Sequence, residues 1–254
     1  MRTFSSYHNI KIDGGEYTKG FLGLDWIPSN AAAAQKERYE TDIVASLERL
    51  SNTWSGWAVF TEIFYRSQTM TIRPFHPTKQ TGPINAYAQA TDTAAATLKD
   101  TAERDNDGSM VKGGVVGTGT GSDTVVRFSK ETWTAPDAPT GAGASPDEIL
   151  LHEMIHGLRQ MQGRSVRESI NGNPGMDNYE EFAAITISNI YRSESGIAGL
   201  RRDHKDFSPL SGPTTDPTVF RSTYRQYLLN MDIEQPRLCQ NLRQVNCSFN
   251  PLKF

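Results

Sequence analysis

The sequence predicts an α+β domain, and three observations point there. A stretch opening at Ser145 carries the signals of a helix start, and a second helical pattern opens near Asp177 or Asn178. Met70 and Ile72 alternate with polar residues before Pro74, the period of a strand. Thr124, Val125, Val126, Arg127 and Phe128 follow a glycine-rich run and are strand formers. A chain of 254 residues suffices for one large domain or two small ones, and the composition forces no split.

In chain order, the first segment reads as irregular or β up to Asp25 and Trp26. Ser29 or Asn30 can cap a helix through the alanine run, with Tyr39, Ile43, Leu47 and Leu50 on one face. Gly56 is expected to interrupt the next apolar stretch, which reaches Tyr65. The run GGVVGTGTGSDTVVRFS begins at Gly113. A phosphate-binding loop would need a helix directly after its glycines, whereas strand formers follow, so it reads as a turn feeding a strand. After a loop from Ala135 to Ala144, Ser145 is the N-cap, Pro146 the first helical residue and Glu148 the closing member of a capping box. That helix is expected to run through Gln162 and stop at Gly163. The next runs through Tyr191 towards Gly196, another spans about Thr223 to Met231, and the tail from Pro236 reads as irregular. Three segments result: 1–110, a substrate cleft or targeting element; 111–207, the core; and 208–254, a C-terminal helix and tail.

Composition narrows the function. The net charge is −3 with no basic run, which argues against a nucleic-acid partner. No apolar stretch approaches the ~20 residues that span a bilayer. The N-terminus lacks the apolar core of about 7–15 residues found in a signal peptide. The expectation is a protein that stays in the cytosol or is exported by a dedicated machine. Cys239 and Cys247 are the two cysteines, close enough in sequence for a bridge and equally readable as free thiols.

The chemistry concentrates at His152-Glu153-Met154-Ile155-His156. Histidines four apart project from one helical face and can reach a single ion, and nitrogen ligands suit zinc. Glu153 beside them can act as a general base toward water, which zinc acidifies. Two surface histidines and a solvated glutamate are the plain alternative. Against it stand the apolar flank Ile149, Leu150 and Leu151 and the cost of burying such groups without a partner. Gln162 occupies the place where a metzincin carries its third histidine. The third ligand is therefore expected from Glu180 or Glu181, which an antiparallel second helix would present. Tyr191 and His204 are the candidate donors to the carbonyl oxygen of a substrate, and His8 and His76 lie in loops, away from the ligand set.

HEMIH, followed by YEEFAAITISNIYRSESG and LRRDH, with GTGSDTVVRFS just upstream, resembles the NleD-like zinc metallopeptidases. The resemblance runs from about Gly113 to His204. It implies a zincin-like domain with a small sheet beside the motif helix, and one zinc per chain on His152, His156 and a glutamate. The related zincin pattern E-F-x-A aligns on Glu181-Phe182-Ala183-Ala184 and favours Glu181, with Glu153 as base. Where several zincins carry an aspartate behind the first histidine, this chain has Ile185. Zincins commonly hold an extended substrate on an edge strand, for which Thr124 to Ser129 is the candidate. The implied protein is a monomeric, secreted effector or toxin, delivered into a target cell without a signal peptide and acting on a protein or peptide. An amidase of cell-wall peptide crosslinks and a non-catalytic, zinc-stabilised binding module are the alternatives.

Overall fold

The computed structural model describes residues 1–15, 29–76, 84–102, 114–170, 176–203 and 206–253. Among these, five short strands form one sheet in the order β1-β2-β3-β5-β4. They are β1 (Arg2–Thr3), β2 (Ile10–Ile12), β3 (Met70–Arg73), β4 (Tyr87–Ala90) and β5 (Thr124–Arg127). Strands β2, β3 and β5 run parallel, with β1 and β4 antiparallel on the two edges. Burial alternates along β2, β3 and β5, so Ile10, Ile12, Met70, Ile72 and Val126 face the helices while their neighbours are half-buried.

The helix α1 (Ser29–Ser51) buries the predicted face, Tyr39, Ile43, Leu47 and Leu50. Helix α2 (Trp54–Phe64) then runs straight through Gly56 instead of breaking there. A Cβ at that position would stand 2.0 Å from the Leu50 carbonyl oxygen. The glycine is thus required by the close approach of α1's last turn, and Thr53 caps the new helix by accepting from the Gly56 N–H. The short α3 (Thr93–Ala96) follows β4.

Helix α4 (Pro146–Met161) is the centre of the fold, with 13 of its 16 residues buried. It packs against β3, β4 and β5 on one side and α5 (Tyr179–Glu194) on the other. The start of α4 departs from the expected capping box. Ser145 is the N-cap, but its hydroxyl donates to the Glu148 carboxylate at 2.6 Å, because Glu148 turns inward to Arg192. Helix α5 starts as expected on Asn178, whose side chain accepts from the Glu181 N–H.

The two helices lie antiparallel, joined at both ends by buried ion pairs. Glu148 on the first turn of α4 meets Arg192 at the end of α5. Arg159 near the end of α4 meets Glu180 at the start of α5, at 2.9–3.0 Å. Helices α6 (Pro217–Thr223), α7 (Arg225–Glu234) and α8 (Pro236–Arg243) complete the fold. Phe182 of α5 is wholly buried against Phe220, Tyr224 and Tyr227 of this group. The tail expected to be irregular is therefore helical at its start: Pro236 opens α8 at a first-turn position, where its missing N–H costs nothing, and Leu238, Cys239 and Leu242 pack inward. Cys239 and Cys247 are both free thiols.

Candidate metal centre

One turn of α4 separates His152 from His156, so both imidazoles leave the same face, and α5 brings Glu181 across from it. His152 Nε2 lies 3.1 Å from His156 Nε2 and 3.2 Å from Glu181 Oε2, and His156 Nε2 lies 3.5 Å from Glu181 Oε1. Ligand atoms about 2.0–2.1 Å from one tetrahedral ion stand about 3.3 Å from one another. The donor set, two imidazoles and a carboxylate at that spacing, fits zinc, and the three residues form a group able to hold a metal ion.

Glu180 points elsewhere. Its carboxylate accepts from Arg159 and from the Val166 N–H at 2.8 Å, with one oxygen 3.8 Å from His156 Nδ1. The two adjacent glutamates thus divide the work, since neighbouring helix positions diverge by about 100°. Burial would raise both carboxylates, but Arg159 and His156 hold Glu180 low, and the two histidines hold Glu181 well below the usual range.

The two histidines sit in opposite electrostatic surroundings. Burial alone would lower His156, yet Glu181, Glu180 and Glu153 outweigh it and hold the imidazolium up to about 10. His152 goes the other way, down to about 3, through burial and the nearby Arg201 guanidinium. Arg201 Nη1 stands 3.5 Å from His152 Nδ1, and Ile185 is wholly buried. Burial pushes Glu153 up to about 7, although it accepts from the Ala88 backbone N–H of β4. Gln160, a turn past His156, donates to the Ala88 carbonyl at 3.2 Å and accepts from Thr124 at 2.6 Å.

These groups line a cleft with a cavity of about 380 Å³. Its edge strand is β4. The expectation that Thr124 to Ser129 would be the edge is corrected by the topology, which puts β5 between β3 and β4. Tyr191 is also placed away from the cleft, about 15 Å along α5 from Glu181 by helical rise, with Ser195 and Asp147 near its hydroxyl. His204 lies outside the described residues, and His8 packs on Phe64. Sequence reasoning missed Arg201, Gln160 and the strand at Ala88. The signal for Arg201 was the doublet in LRRDH, but only the fold shows that Gly143 makes room for it: a Cβ there would sit 2.4 Å from Arg201 Cδ.

No curated protein matches the chain. The profile of the peptidase family M91, described as effector protein, matches residues 28–237, more than four-fifths of the sequence. That span reaches well beyond the segment carrying the sequence resemblance and takes in α1 through the start of α8. With this match over a mixed α+β fold, the chain belongs to the NleD-like peptidase family of effector proteins.

Proposed function

We propose that the protein is a zinc-dependent endopeptidase, a monomer holding one zinc per chain, delivered as an effector to a target cell by a specialised secretion system. The observation that carries this reading is the tetrahedral spacing of His152, His156 and Glu181 beside a buried Glu153 in an open cleft. His152, His156 and Glu181 would hold the ion. When bound, zinc acidifies water and polarises a peptide carbonyl. Glu153, held near 7 by burial, is suited both to accept a proton from the attacking water and to give it to the departing amine. Arg201, whose guanidinium lines the cleft, replaces Tyr191 as the donor to the carbonyl oxygen as it gains charge. His204 remains a proposed second donor. Among the described residues no helix is long and apolar enough to cross a membrane, and a peptidase effector takes a protein substrate. The extended substrate would lie beside β4.

Glu153→Gln is the test. The substitution keeps size and helix propensity, so zinc content and thermal stability are expected to persist while turnover falls roughly 10²–10⁴-fold. Equal turnover by the variant and the parent, scored by new protein termini in a target-cell lysate, would remove Glu153 from the mechanism.

A further inference from the structure

The cleft has two unlike walls. Beyond His156 the lining is polar, with Gln160, Ser165 and Arg167. Beyond His152 it is aromatic and aliphatic around the Arg201 guanidinium. From His152 the contacts run through Arg201, whose guanidinium lies 4.7 Å over the Phe207 ring, to Trp133, 5.8 Å from Phe207 edge to face. Ile149, one turn before His152 on α4, completes that wall.

Two features mark this wall. Phe207 has a φ of 54°, the left-handed region that a bulky side chain enters at a cost of order 1 kcal/mol or more. The backbone is held there by the Ala142 N–H, which donates to the Phe207 carbonyl at 3.1 Å. Trp133 is buried, yet its indole N–H meets no acceptor, whereas a buried tryptophan ordinarily finds one. Trp133 lines the cleft through its ring, and its N–H is not spent on an internal hydrogen bond.

We propose that Trp133, Phe207 and Ile149 form a side-chain subsite that selects a bulky apolar residue, of the leucine, methionine or phenylalanine class, next to the scissile bond. This rests on the peptidase reading. An apolar pocket discriminates such a side chain from alanine by roughly 10–200-fold.

The test uses a library of bacterial-lysate peptides, cut at glutamate and blocked at their amines, in two arms. The zinc-loaded protein cleaves the library and new termini are sequenced. The zinc-loaded Glu153→Gln protein, immobilised, captures peptides that are then identified. The expected result is bulky apolar enrichment at one position flanking the cut and in the captured set. Trp133→Ala is expected to bring the leucine-over-alanine ratio close to one, and Trp133→Phe to keep it. Ile149→Phe, which fills the same wall without removing a ring, is expected to shift the preference towards smaller side chains. Cleavage without apolar preference overturns the subsite and leaves the peptidase reading standing. Apolar capture without cleavage sinks the peptidase reading and with it a subsite beside a scissile bond, leaving an apolar peptide-binding wall, and neither cleavage nor capture overturns both.

Discussion

Replacing Arg159 by Met would break the ion pair that holds the start of α5 against the end of α4. The guanidinium is wholly buried, bonded to both Glu180 oxygens at 3.0 Å, to Glu234 at 3.0 Å and to the Arg164 carbonyl at 2.7 Å. Methionine fills most of the space, so the main effect is the charge left behind on Glu180, which is 4% exposed and keeps only the Val166 N–H and the more distant His156. Removing one partner of a buried pair costs about 3–5 kcal/mol. In a chain of this size each kcal/mol shifts Tm by about 2–4 °C, which gives a fall of about 6–20 °C. The assay is thermal unfolding of metal-free protein, so that ion binding does not enter. The penalty also has a direction with pH. In the parent, Arg159 and His156 hold Glu180 low, and the stability this gives is present above the unfolded carboxylate pKa and lost as pH falls. Without Arg159, burial raises Glu180, and the variant loses stability as pH rises through that raised value. The gap between parent and variant is therefore wide at about pH 8 and narrower at about pH 5. Adding Glu180→Gln should recover most of the loss. A gap under about 1 kcal/mol, or one no narrower in acid, refutes the account of Glu180 as a buried carboxylate held by this guanidinium.

Glu181→Ala is expected to lose zinc affinity and activity together, while Glu180→Ala keeps the ion with at most a roughly 10–100-fold cost; paired zinc titrations decide, and the reverse order would make Glu180 the ligand. Phe182→Ala should cost about 3–5 kcal/mol in chemical denaturation, because its wholly buried ring packs α5 on Phe220, Tyr224 and Tyr227, and a loss under about 1 kcal/mol would show that other contacts carry the docking. Cys239, buried and pushed up to about 12, should react with an alkylating agent far more slowly than the half-buried Cys247. A mass two hydrogens short of the reduced chain in non-reducing spectrometry would contradict the free thiols.

What could be read from the sequence was local. The motif helix and its ligand spacing follow from periodicity and a strong start signal, and the second helix from Asn178 and the run after it. Spacing alone leaves Glu180 and Glu181 open, because both belong to one short acidic start and only the family resemblance favours Glu181; it is Arg159, 21 residues away, that draws Glu180 aside. Strand β4 is hidden in the sequence because Tyr87–Ala90 is four residues with little β character, made a strand by pairing with β5. Arg201 joins the cleft through contacts with Asn189, Asp203 and Phe207 that no spacing rule encodes. Tyr191 shares a helix with Glu181, but helical rise carries it away from the cleft. Gly56 looked like a breaker because a sequence does not show the neighbouring helix end that needs it.

The two ion pairs between α4 and α5 also govern which lengths of chain can vary. Glu148 and Arg159 are about three turns apart on one helix, and Glu180 and Arg192 little more on the other, a span of about 17 Å in each. Inserting or deleting one residue between either pair turns the far partner about 100° away and strands a buried charge. A change of length in the connection 162–178, which Arg159 and Glu180 hold at Arg164 and Val166, leaves the spacing within each helix unchanged. Natural variation in length within this helix pair therefore belongs in the connection, and the distance from the histidines to the glutamate along the sequence is free to drift while their distance in space is not.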